Sequence, residues 1–70
     1  MNLVNNLKKV RFNKDQITQE ELAVKVNVSR QTINSIENGK FNPSVKLALQ
    51  IAQFFECKVE DIFYLKMEDK

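Results

Sequence analysis

The sequence predicts an all-α fold: one domain spanning residues 1–70, built of five short helices, with the two ends of the chain paired as a small antiparallel β-ribbon. Three observations carry that expectation. The composition, 43% hydrophobic and 29% charged with one glycine and one proline, is that of a compact helical protein with little room for long loops. The stretch from Gln19 to Glu37 reads as two short helices meeting at a sharp corner. The segment from Pro43 to Phe55 is apolar around most of its circumference, which marks a central helix. A chain of 70 residues buries only a small core, so each of these elements has to contribute to it.

Taken in order, Met1 to Asn5 is too short for a helix with a core face and suits an edge strand. From Asn5 or Asn6 the pattern turns helical, with Leu7, Val10 and Phe12 apolar. Lys8, Lys9 and Lys14 read as a solvated face, whereas Arg11, on an inward-tending helix, is best satisfied by a bidentate carboxylate. Thr18 is a good N-cap, and Glu21 three residues later makes a capping box available. Leu22, Ala23 and Val26 follow at helical spacing. Asn27 tolerates positive φ and can reverse the chain within about three to four residues. Val28 then plugs the corner, and Ser29 caps a second helix that turns Ile33 and Ile36 inward.

That helix is expected to end at Asn38-Gly39, with one of the two in the left-handed conformation. Asn42-Pro43-Ser44 opens the next helix, with Pro43 at its first position, where the missing N–H is harmless. Val45, Leu47, Ala48, Leu49, Ile51, Ala52, Phe54 and Phe55 leave Lys46, Gln50 and Gln53 as its polar stripe. Residues 58–63 read as a last short helix. Tyr64 to Met67 is rich in β-formers, and with the apolar Leu3-Val4 it suggests strands at about 1–5 and 63–67. Glu68, Asp69 and Lys70 look like a frayed polar end.

The outward face of the helix after Ser29 carries Arg30, Gln31, Thr32, Asn34 and Ser35, one charge among short hydrogen-bonding groups. Such a surface suits base edges. Arginine pairs bidentately with guanine, glutamine and asparagine with adenine, and a threonine methyl can touch thymine in the major groove. A merely solvated helix face would show the same residue types. Gln19 begins the supporting helix, where its amide and the first backbone N–H groups both favour a phosphate.

Thr18-Gln19, Leu22-Ala23, Val28-Ser29, Arg30-Gln31-Thr32-Ile33 and Ile36-Glu37-Asn38-Gly39-Lys40 resemble the helix-turn-helix signature of the phage repressor and Cro family, also called the Xre family. The resemblance continues through Asn42-Pro43-Ser44, Ile51-Ala52 and Val59 to Phe63, so it covers about Leu7 to Phe63. It departs from the family where Asn27 replaces the usual glycine and where the loop between Arg11 and Gln19 is one residue longer. The resemblance implies a DNA-binding transcriptional regulator, expected to be a repressor that occupies a palindromic operator on double-stranded DNA as a homodimer. It implies base reading by Arg30, Gln31, Thr32, Asn34 and Ser35, phosphate contacts from Gln19, Ser29, Asn38 and Lys40, and a minor-groove or phosphate contact from Asn42. It also implies an ion pair between Arg11 and Glu37. An antitoxin or another protein-interaction module on the same fold is the alternative.

Other classes find less support in the residues. A net charge of +2 is only mildly basic and would not by itself identify a nucleic-acid binder. With no histidine and a single cysteine, Cys57, the chain offers no internal disulfide, no metal site of ordinary spacing, no cofactor site, and no nucleophile and base for an enzyme. No signal peptide or membrane-spanning run is evident, so a cytoplasmic location is expected. Phe41, Phe54, Phe55, Phe63, Tyr64, Leu65 and Met67 are more aromatic and aliphatic surface than one small core should hide, which points to a dimer held by the Pro43 to Phe55 helix and the terminal segments.

Overall fold

The computed structural model describes residues 2–67. Their order is β1 (Asn2–Asn5), α1 (Leu7–Asn13), α2 (Gln19–Val26), α3 (Arg30–Glu37), α4 (Val45–Phe54), a 3-10 turn (Val59–Asp61) and β2 (Phe63–Lys66). The expectations for Met1 and for the end at Glu68, Asp69 and Lys70 lie outside the described residues.

Leu7, Leu22, Ala23, Val26, Ile33, Ile36, Leu47, Ile51, Ala52, Ile62 and Phe63 form one buried core drawn from every helix and from the last strand. Local chemistry sets the helix ends. Thr18 Oγ1 accepts from Glu21 N at 3.0 Å and Glu21 Oε1 accepts from Thr18 N at 2.7 Å, a closed capping box that starts α2. Asn27 ends α2 at φ 62, ψ 48, in the left-handed region where the carboxamide side chain is better tolerated than most. Ser29 starts α3 by accepting from Thr32 N at 3.1 Å. At its far end Gly39 takes φ 76, while Gly39 N donates to Ile36 O and Lys40 N to Ser35 O, the paired bonds of a Schellman motif. A Cβ on Gly39 would meet no atom within 4 Å, so the backbone angle, and not crowding, favours glycine there.

Three features differ from the sequence reading. Among the described residues the α-helix count is four and not five, because residues 58–63 form only the three-residue 3-10 turn before the chain straightens into β2. Ile62 O accepts from Asn6 N there, which commits the segment to the sheet. α4 begins at Val45 and not at Pro43, since Ser44 Oγ accepts from Leu47 N at 3.1 Å and makes Ser44 the cap. Phe12 is 61% exposed, because Leu7 and Val10 already fill the inward stripe of α1. The longer loop before α2 is absorbed by two successive left-handed residues, Asp15 and Gln16.

The ribbon pairs Asn2 with Lys66, Leu3 with Leu65, Val4 with Tyr64 and Asn5 with Phe63, antiparallel. Alternation puts Asn5 and Phe63 on the face that meets the body, with Leu3 and Leu65 on the same face farther out. Phe63 is buried, whereas Leu3 and Leu65 are exposed. Asn5 joins ribbon and helices: its Oδ1 accepts from Leu7 N at 3.0 Å and its Nδ2 donates to Ile36 O at 2.9 Å.

The surplus apolar surface is accordingly distributed differently from the expectation. Phe63 is core, and Phe54 and Phe55, half-buried against that core, meet each other edge to face at 5.0 Å between ring centroids. Phe41, Tyr64, Leu65 and Met67 remain exposed, together with Leu3, Val24, Val45 and Leu49. Cys57 is a half-buried free thiol whose pKa is pushed up by burial and then by the nearby Asp61 charge, which disfavours the thiolate.

Candidate nucleic-acid interface

The two helices at the corner are locked by one polar network that runs through three elements. Glu37 is the hub. Its Oε2 accepts from Arg11 Nε at 2.8 Å, and its Oε1 accepts from Arg11 Nη2 at 3.2 Å and from Gln19 Nε2 at 3.0 Å. Arg11 also donates through Nη1 to Ile17 O at 2.8 Å, which pins the loop leading into α2. The Glu37 side chain is only 4% exposed, so the carboxylate is carried inside the fold by its two donors. Gln19 Nε2 donates a second time, to Asn34 Oδ1 at 3.1 Å, and so ties the start of α2 to the middle of α3.

Arg30, Gln31 and Asn34 are exposed along α3, and Thr32 and Ser35 are half-buried beside them. Two shallow depressions flank the helix. One is lined by Ser29, Gln31, Thr32, Ser35, Lys40 and Phe41. The other brings Arg30 together with Arg11, Gln16, Thr18, Gln19 and Glu20. Asn38 is the exposed C-cap of α3, and Lys40 and Asn42 are exposed on the connector that follows.

Several of the residues singled out from the sequence are already engaged within the chain. The Ser29 and Thr32 hydroxyls lie 2.9 Å apart and share a hydrogen bond, while Ser29 also caps α3. The amide donor of Gln19 is shared between Asn34 and Glu37, which leaves the first backbone N–H groups of α2 as the donors that this end of the helix offers outward. Phe41 lies beside the α3 residues although nothing in its own residue type marked it for this face; the signal was its position two residues beyond the Gly39 turn. Among the described residues no group of three or more His, Cys, Asp or Glu is placed to hold a metal ion. No helix among them is long and apolar enough to cross a membrane.

Two helices fixed at a left-handed corner, the second offering a row of arginine and amide side chains with a lysine at its exit, define the helix-turn-helix class of DNA-binding proteins. Comparison with known proteins agrees. A helix-turn-helix family profile matches residues 7–62. An uncharacterised HTH-type transcriptional regulator of Methanocaldococcus jannaschii is 64% identical over 47 residues, 67% of this chain and 71% of that protein. A Bacteroides fragilis protein described as a "putative DNA-binding protein" superposes with a TM-score of 0.77 over 89% of this chain and 98% of its own, at 22% identity. The restriction-modification controller protein C.AhdI of Aeromonas hydrophila superposes with a TM-score of 0.69 over 79% and 78% of the two chains, at 24% identity. At such identities the two structures speak to the fold alone. The chain belongs to the Cro/C1-type helix-turn-helix family, whose members are DNA-binding transcriptional regulators.

Proposed function

We propose that this protein is a repressor that occupies a roughly palindromic operator as a homodimer, with α3 of each copy in the major groove. In this reading Arg30, Gln31, Thr32, Asn34 and Ser35 read base edges. Lys40, Asn38, Ser29 and the N-terminal end of α2 at Gln19 hold phosphates, and Asn42 adds a backbone or minor-groove contact. The protein acts in the cytoplasm, with access to its promoter. The observation that carries the reading is the Arg11–Glu37–Gln19–Asn34 network, because it sets the angle of α3 against α2 before any ligand arrives, so that the exposed Arg30 and Gln31 need little reorganisation to bind.

Dimerisation is supported by the apolar side chains left uncovered on two elements: Val45 and Leu49, one turn apart on α4, and Leu3 and Leu65 on one face of the ribbon with Tyr64 on the other. A two-fold dimer would set two reading helices about 34–36 Å apart, one turn of B-DNA, and make the second contact effectively intramolecular. Selection of bound sequences from a random DNA pool, followed by footprinting and sedimentation, tests the proposal. A palindromic site protected on both halves by a dimer is expected. A monomer guarding one asymmetric half-site would remove the dimer, and a pool that shows no enrichment would remove sequence-specific reading altogether.

A further inference from the structure

We infer that Phe41 is a specificity-determining residue, its ring meeting the C5-methyl of a thymine at the edge of the bases read by α3. The inference rests on the proposed docking of α3 in the major groove and adds to it an apolar reader outside the helix. Phe41 is a large apolar side chain left 49% exposed, and it is not among the residues packed on the core. Its position is nonetheless fixed relative to α3. The bonds from Gly39 N to Ile36 O at 3.0 Å and from Lys40 N to Ser35 O at 2.9 Å clamp the preceding two residues to the last turn, and Pro43 restricts the chain just beyond.

The surroundings of the ring indicate what it meets. Phe41 shares a groove of about 350 Å³ with Ser29, Gln31, Thr32, Ser35 and Lys40. Three hydroxyls, an amide and an ammonium are a poor bed for an apolar protein partner and a good one for a nucleotide. Lys40 suits the phosphate, Gln31 a base edge, and the ring the one apolar group that a base pair shows in the major groove, the thymine methyl. α3 itself exposes no large apolar side chain on this face; Thr32 is half-buried with its hydroxyl held by Ser29, so Phe41 adds the larger apolar surface for a thymine methyl.

The test uses the full chain and an operator selected from a random pool. Each thymine in one half-site is replaced in turn by deoxyuridine, which deletes the methyl and nothing else. One replacement is expected to weaken binding by the unchanged protein roughly fourfold, about the worth of one buried methyl. The same replacement should have no effect on Phe41→Ala, whereas Phe41→Tyr should keep the sensitivity. If every deoxyuridine operator behaves alike in the unchanged and Phe41→Ala proteins, the inference is overturned. It is equally overturned if Phe41→Ala weakens operator and random DNA by one factor, since the ring would then pack on the sugar–phosphate backbone. In both cases an operator preference relaxed by Arg30→Ala would leave the docking of α3 standing. Failure of the unchanged protein to select any operator would remove the docking and this inference together.

Discussion

Glu37 carries a full charge inside a small domain, and its burial makes Arg11 indispensable. Removal of one partner from a buried ion pair strands the other, at a typical cost of about 3–5 kcal/mol. That is a large part of the roughly 5–10 kcal/mol that a small domain has in total. Arg11→Ala should therefore be mostly unfolded at moderate urea, whereas the double replacement Arg11→Met with Glu37→Leu should be less damaging than either single change. Urea titrations followed by circular dichroism would decide; equal losses in single and double variants would show that the pair acts only through packing. On the surface the two classes of contact separate by salt. Lys40→Ala should weaken binding to all DNA alike and reduce the salt slope by about one unit. Arg30→Ala should cost about 1–3 kcal/mol on the operator and relax preference at one base position. Binding isotherms at several salt concentrations on operator and random duplexes measure both effects.

At the level of elements, most of what was legible in the sequence was local. The caps at Thr18, Ser29 and Gly39 and the corner at Asn27 are decided within a few residues, so their signals stand next to each other in the chain. What the sequence concealed depends on distant partners. The helix expected over residues 58–63 shrinks to a three-residue turn beside the bond from Asn6 N to Ile62 O, Phe12 counted in the apolar pattern until Leu7 and Val10 filled the stripe, and the amide of Gln19 looked free until Glu37 and Asn34 took it. Among the site residues the outward set on α3 followed from helical period, whereas the place of Phe41 depended on the turn that precedes it. The corner also offers a clean test of backbone strain. At φ 62 a side chain other than glycine or asparagine carries about 1–2 kcal/mol, so Asn27→Val should lose about that much stability. Asn27→Gly should be neutral or better. A lowered thermal midpoint for Asn27→Val, beside an unchanged or raised one for Asn27→Gly, is the expected result.

The whole molecule is elongated, 39 Å by 22 by 21, with a radius of gyration of 11.7 Å. A two-stranded ribbon is marginal in water by itself. Here one end of it rests on the core through Phe63 while Leu3 and Leu65 extend beyond. A second copy laid against that overhang would complete the cover. Leu65→Glu should then lower the sedimentation coefficient to that of a monomer and weaken operator binding steeply, with helix content unchanged. An unaltered dimer would shift the contact to Val45 and Leu49 on α4.

The pairing of β1 with β2 joins the beginning of the described chain to its end, and Asn5 passes that pairing on to the last turn of α3 through Ile36 O. On the ribosome, therefore, the helices can assemble as they emerge, but the first strand has no partner until nearly all of the described chain has been made. α3 thus receives its last brace late in synthesis, and in a nascent chain it is less firmly set than in one whose second strand has emerged.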